Sequence, residues 1–304
     1  MPTLRSLRLL GAVEAGTVNG TQLQTFLTDL GRNAEFAVLL SSRGQTRRMA
    51  SNTLTMDAIV GSVNATNTVF KAATVETNAA CSAVVASPTA MSVVSQNVNS
   101  LNILGANPIS WGLYRKSIYY ETNVRTTIAN LAGLNPAIYP TVISMISDPI
   151  AMASVSAADF SVSAVVASQP TVVLLVANAS AMGQMAADTS AITIIAAETA
   201  IMGTVANSSL AMIEINSRAT AVNVMANNSG AITAISKSAT GWASFQASSF
   251  FTANVPAVVA NLIGVSTSTY PTLASIIDDA AAMAKVAASS TAMTAMASNS
   301  AALT

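Results

Sequence analysis

Histidine is absent from this 304-residue chain, and cysteine occurs once. Without histidine there is no Ser-His-Asp or Cys-His catalysis, no imidazole metal ligand and no switch titrating near neutrality. The single thiol, Cys81, cannot form an intramolecular disulfide and sits in an apolar stretch, AACSAVVA, that reads as core. Charge is scarce too. Asp, Glu, Lys and Arg make up 9% of the chain and aromatics 5%, although 52% is hydrophobic. Typical soluble domains carry about 25% charge. A surface so poor in charge implies that something covers much of it.

Other signatures are missing. No phosphate-binding loop, dinucleotide fingerprint, nucleophile elbow or metal-ligand cluster occurs, so neither an enzyme nor a cofactor is expected. Asp278-Asp279 is the one adjacent carboxylate pair, and it reads as the favourable N-terminal charge of a helix. Tyr119-Tyr120 beside Arg115 and Lys116 reads as a packed edge, with partner or sugar binding as the alternative. Ser, Thr or Asn interrupts every apolar run well short of about 18 residues, so no membrane span is expected. The opening MPTLRSLRLLGAVEAG makes a poor secretory signal, which fits synthesis and assembly in a bacterial cytoplasm.

Net charge is zero but unevenly placed. Residues 1–50 hold Arg5, Arg8, Arg32, Arg43, Arg47 and Arg48 against Glu14, Asp29 and Glu35. That density suits an attachment surface better than nucleic acid, which calls for a denser basic patch with aromatics.

What is present is a ten-residue repeat. Stepping by ten, one apolar slot is Val142, Met152, Val162, Val172, Met182, Ile192, Met202, Met212, Val222, Ile232 and Trp242. A second slot lies three residues on, at Met145, Val155, Val165, Leu175, Met185, Ile195, Val205, Ile215, Met225, Ile235 and Phe245. The pattern returns upstream at Cys81/Val84, Met91/Val94, Leu101/Leu104 and Trp111/Tyr114. Downstream it returns at Leu273/Ile276, Met283/Val286 and Met293/Met296. A longer duplication overlies it. Residues 123–152 match 254–283 at an offset of 131, with Tyr139-Pro140-Thr141 facing Tyr270-Pro271-Thr272.

Ala181, Met182, Met185 and Ala186 fall at i, i+1, i+4 and i+5, one face of a helix. A single continuous helix is excluded, because ten residues turn about 1000° and the stripe would drift about 80° per unit. Each decad therefore predicts a two-turn helix and a sharp turn, capped near Asn178, Asp188, Asn207, Ser217, Asn227 and Ser238. Successive helices are expected to zigzag antiparallel in a small, elongated α-solenoid-like stack, with a β-solenoid-like fibre as the alternative. Two large apolar side chains cannot offset the ordering of ten residues, so alanine contacts between neighbouring helices, and contacts between chains, are expected to supply the difference. The long segments NVPAVVANLIG and STSTYPTLASII predict a helix ending with Gly264 at C′ and a restart near Thr272.

The predicted organisation is an attachment segment (1–55), decads (56–114), a special segment (115–141), decads (142–248), the special segment again (249–272) and terminal decads (273–304).

SSTAMTAMASNSAAL (289–303), PTAMSVVSQ (88–96) and NASAMGQMAA resemble the S-x-A-M-x-x-V-A runs of tail-associated and fibre-like structural proteins of tailed bacteriophages. The resemblance covers about two thirds of the chain and is periodic rather than catalytic. It implies a virion structural protein built as a symmetric homo-oligomer, with a trimer favoured and no cofactor. Other virion proteins would hold the N-terminal segment, and a distal fibre protein would meet the C-terminus. The chain stops in mid-pattern at Leu303-Thr304 rather than in a β-rich tip, which favours a proximal fibre, collar or baseplate connector. The alternatives are a self-assembling extracellular filament or surface layer, a capsid decoration, and a repeat module binding peptide or glycan.

Overall fold

The computed structural model describes residues 43–70 and 75–298, with scattered positions before residue 43. Every regular element among the described residues is a helix. The chain divides into two compact units, residues 1–138 and 139–304.

The first unit contains α1 (Arg43–Ala50), α2 (Thr53–Val60), α3 (Val63–Phe70), α4 (Val75–Val85), α5 (Pro88–Val94), α6 (Val98–Gly105), α7 (Pro108–Arg115) and α8 (Ile118–Leu131). The second opens with α9 (Val142–Ile146), α10 (Pro149–Ser156), α11 (Asp159–Ala167), α12 (Gln169–Val176), α13 (Ala179–Ala187) and α14 (Thr189–Ala197). It continues through α15 (Thr199–Asn207), α16 (Ser209–Asn216), α17 (Ala219–Ala226), α18 (Ser229–Lys237) and α19 (Ala239–Gln246). It closes with α20 (Phe251–Leu262), α21 (Leu273–Ile277), α22 (Ala280–Ala287) and α23 (Ser290–Ala297).

The two-turn helices follow the decad frame. From α9 to α19 the decad junctions are one or two residues long, either a single non-helical residue or a right-handed C-cap followed by an extended N-cap such as Ser217 and Arg218. Asp188 ends α13 and starts α14 at φ −95, ψ 120, and its Oδ1 accepts from the N–H groups of Ser190 and Ala191 at 2.9 and 3.0 Å. One β-region residue in an otherwise helical backbone swings the axis sharply. The axes turn by 103° between α10 and α11, 101° between α12 and α13, and 107° between α14 and α15. The expected antiparallel zigzag is therefore corrected. Three such bends come close to a full circuit, so each helix lies on the one three before it. α13 packs on α10, α14 on α11, α15 on α12, and so on to α19 on α16. Residues 149–246 thus form a three-sided coil, one decad per side, and helices three apart also pack together among residues 43–115 of the first unit. The β-solenoid alternative fails, as no strand occurs among the described residues.

Three predicted caps move by one residue. Helix starts fall on the extended residue four before the first apolar slot, at Ser208, Arg218 and Asn228. Asn207 still belongs to α15, and Ser217 and Asn227 hold right-handed helical backbone as C-caps. Asn178, Asp188 and Ser238 cap as expected. The serine caps do more than start a helix. Ser238 Oγ accepts from the Gly241 N–H at 3.0 Å and donates to the Ala206 carbonyl, one turn earlier, at 3.0 Å. Ser208 reaches the Val176 carbonyl at 2.7 Å and Ser248 the Asn216 carbonyl at 3.0 Å. Carbonyls exposed at one helix end are thus satisfied by the turn above.

The slots fill the coil's interior. Met152, Val155, Val162, Val165, Val172, Leu175, Met182, Met185, Ile192, Ile195, Met202 and Val205 are buried. So are Met212, Ile215, Val222, Met225, Ile232, Ile235, Phe245, Val286 and Met296. Small residues beside the slots are buried as well, including Ala181, Ala186, Ala191, Ala196, Ala206 and Ala231. Up to four positions per decad are thereby buried against turns of the same chain, so the apolar decad faces find their partners without a second chain. Four slots depart from this. Val142, in the first turn of α9, is half-buried. Trp242 is half-buried, edge-on to Phe251 at 6.1 Å, where the chain leaves the decad frame for α20. Met283 is half-buried and Met293 is 46% exposed. Both lie in the last described turn, with no described turn stacked above.

Decad-length helices also begin upstream of residue 56. The slots of α1 and α3 hold Thr46 and Thr66, both fully buried. Thr66 Oγ1 donates to the Ile59 carbonyl at 2.8 Å, which lets a hydroxyl occupy an apolar slot.

The duplication is wider in structure than its sequence core. α7, α9 and α10 begin and end 131 residues before α19, α21 and α22, and α8 ends at Leu131 where α20 ends at Leu262. Both long helices stop in the same Schellman closure. Gly133 and Gly264 sit at φ 69 and 66, and the next N–H bonds five residues back, Leu134 to Ala129 at 2.8 Å and Val265 to Ala260 at 2.9 Å. Thr141 with Ser144, and Thr272 with Ser275, form matching capping boxes.

Candidate functional surfaces

No cluster of three or more His, Cys, Asp or Glu side chains that could hold a metal occurs among the described residues. Cys81 is fully buried, and burial pushes its thiol up to about 11 against a hydrogen bond with Ser110 that pulls it down. Little thiolate exists there at neutral pH.

The carboxylates near the special segments are structural. Asp278 is the C-cap of α21 and Asp279 the N-cap of α22. Asp279 Oδ2 accepts from the Tyr270 hydroxyl at 2.6 Å, while its Oδ1 accepts from the Ala281 and Ala282 N–H groups at 2.8 and 3.0 Å. Asp148 repeats this with Tyr139 at 2.9 Å. The tyrosine hydrogen bond, then the backbone N–H groups, lower both carboxyls below their usual range, and the same bond raises both phenols. For the carboxylates, the contribution to stability is present above about pH 4 and lost as pH falls through the lowered folded value. For the phenols it is present below about pH 10 and lost as pH rises through the raised one. Tyr270→Phe should return the Asp279 carboxyl toward its ordinary range while Asp148 keeps its depressed titration. Side-chain carboxyl NMR titration reads both at once, and an unmoved Asp279 would refute the coupling.

Of the expected attachment arginines, Arg5 and Arg32 lie outside the described residues. Arg8 is exposed, Arg43 opens α1, and Arg47 and Arg48 are exposed in its last turn, where positive charge suits the helix dipole.

The Tyr119-Tyr120 pair splits. Tyr120 is buried, its ring edge-on to Tyr114 at 5.5 Å. Tyr119 faces outward over a groove of about 510 Å³, its hydroxyl 2.7 Å from Ser95 Oγ. Ser82, Val85, Pro88, Leu113, Lys116 and Ile118 complete the principal walls. A second groove of about 510 Å³ runs between α15 and α18 of the other unit, floored by Ala200, Gly203, Gly230 and Ala234.

The sides of the second unit carry isolated large apolar residues. Ile150 is 78% exposed and Ile213 59%, with Val173 and Leu210 also exposed. Glu214 and Arg218 pair with each other at 3.0 Å. No single helix among the described residues is long and apolar enough to cross a membrane. Neither the known protein families nor the curated proteins include a match to this chain.

Proposed function

We propose that this chain is a non-catalytic structural component of a bacteriophage virion, in a tail fibre, collar or baseplate connector, and that copies of it associate through their sides. The virion setting comes from the Ala/Ser/Met decads. The association rests on one observation: the decad core is closed within the chain, yet residues 149–248 carry only Asp159, Asp188, Glu198, Glu214, Arg218 and Lys237 as charged groups. Asp188 caps α14, and Glu214 and Arg218 neutralise each other. The remaining outer surface is small, hydroxylated or apolar, a composition that favours contact with another protein over solvation.

Sedimentation velocity and negative-stain imaging of the full chain test this. A discrete oligomer of fixed dimensions is the expected result. A monodisperse monomer at micromolar concentration would sink the reading, and open-ended fibres would favour a filament or surface layer instead.

A further inference from the structure

The groove under Tyr119 is where the two copies of the duplication part company. It lies between the C-terminal end of α4, the outer side of α7 and the first turn of α8. Its lining includes Val85, Pro88, Leu113 and Ile118, the last 80% exposed at the start of α8. The ring of Tyr119 is held by its bond to Ser95. Lys116 is the one charged residue in the lining.

The same architecture stands 131 residues on, with α16, α19 and α20 in place of α4, α7 and α8. There Val85 is replaced by Asn216, Pro88 by Ala219, Leu113 by Ser244, Lys116 by Ala247 and Ile118 by Ser249. Ser82, the small residue that leaves the groove open, is replaced by Ile213. The fold therefore forms without these apolar and cationic side chains. Val85 is buried in the first unit, but core packing does not explain half-buried Leu113 or exposed Lys116 and Ile118. Exposing Ile118 at a helix start has no folding benefit either.

We propose that this groove binds a short extended peptide segment of another virion protein, one presenting apolar side chains and a carboxylate. The eight residues of α7 span about 12 Å, enough for three or four extended residues. Leu113 and Ile118 take the apolar side chains over buried Val85 as the floor, and Lys116 meets the carboxylate. That charge complementarity, with exposed Lys116 the one charged residue in the lining, selects an acidic over a basic segment. The partner's class rests on the virion reading; the peptide chemistry does not.

The probe is acetyl-Leu-Glu-Leu-Phe-amide, titrated into the full chain by calorimetry beside its Glu-to-Lys counterpart. The acidic peptide should saturate one site and the basic peptide bind at least about tenfold more weakly. Installing the second unit's residues, Leu113→Ser, Lys116→Ala and Ile118→Ser, should abolish binding with unchanged far-UV circular dichroism, since the duplicate folds with them. Lys116→Ala alone should erase the preference for the acidic peptide. Leu210→Ser, on the side of the other unit, should leave binding unchanged. Equal binding of both peptides, no saturation below millimolar concentration, or indifference to the triple substitution each overturns the proposal. A monomer that binds the acidic peptide would refute the assembly reading alone, and a discrete oligomer that ignores it would refute this one alone.

Discussion

Gly241→Ala is expected to destabilise the second unit by about 1–3 kcal/mol, although alanine is the better helix former. Gly241 lies in α19 where that helix crosses the end of α15. A β-carbon there would stand 2.6 Å from the Ala206 carbonyl oxygen and 3.1 Å from the Ala206 β-carbon. The obstacle is backbone, and the same carbonyl is engaged by Ser238 Oγ at 3.0 Å, so it cannot simply rotate away. Two other glycines calibrate the measurement. At Gly230 the added carbon meets the Thr199 methyl at 2.6 Å, a group that can turn aside, and the expected change is within about 1 kcal/mol. At Gly203 nothing lies within 4 Å, and alanine should stabilise by about 0.5–1 kcal/mol. Urea unfolding of the three variants should rank them in that order. A Gly241→Ala protein as stable as the parent would show that turn-to-turn spacing is looser than described.

Removing residues 189–218, three whole decads, should leave a folded and cooperative protein, whereas removing residues 189–193 alone should not. The longer deletion takes out α14, α15 and α16, one complete circuit. It joins Asp188, a good cap, to Ala219 at the start of α17, which then lies over α11 as α14 did. Ser238 would find the Val176 carbonyl thirty residues nearer, the group that Ser208 uses now. The five-residue deletion rotates the downstream stripe by about 140° and carries Ile195 and its buried neighbours toward solvent. Circular dichroism and hydrogen exchange distinguish the outcomes. The expected readings are native-like ellipticity per residue after the long deletion and lost protection across several helices after the short one. Equal damage from both would mean that the decads are not interchangeable.

Helix length and the inward residues were readable from the sequence because large apolar side chains recur at fixed spacing. The number of sides was not. A ten-residue period fixes where each helix stops but not the angle to the next. That angle depends on one extended residue, such as Asp188, and on small residues like Gly241 and Ala206 meeting between turns. α1 escaped notice because Thr46 occupies its apolar slot, and Thr66 hid the slot of α3 within the expected decads. The frame also jumps fifteen residues between Thr66 and Cys81. In the special segments the Schellman glycine was legible as Gly264, while the bond from Tyr270 to Asp279 links residues nine apart and leaves no periodic trace. At the groove, Tyr119-Tyr120 with Arg115 and Lys116 stood out as a pair of rings beside charge. Only the course of α8 separates buried Tyr120 from half-buried Tyr119.

The serines that cap one helix while holding the carbonyl of the turn below also have a mechanical meaning. Tension along the coil axis would load these hydroxyl–carbonyl bonds one after another, together with the apolar contact beneath each. Because a bond spans about thirty residues, its rupture frees one whole circuit, roughly 100 Å of extended chain. The second unit, with such bonds at Ser208, Ser238 and Ser248, is in this sense a series of mechanical fuses, able to lengthen stepwise under load and to rewind when the load is removed. Stretching a single molecule would show force peaks at that spacing, and a smooth, featureless extension would contradict it.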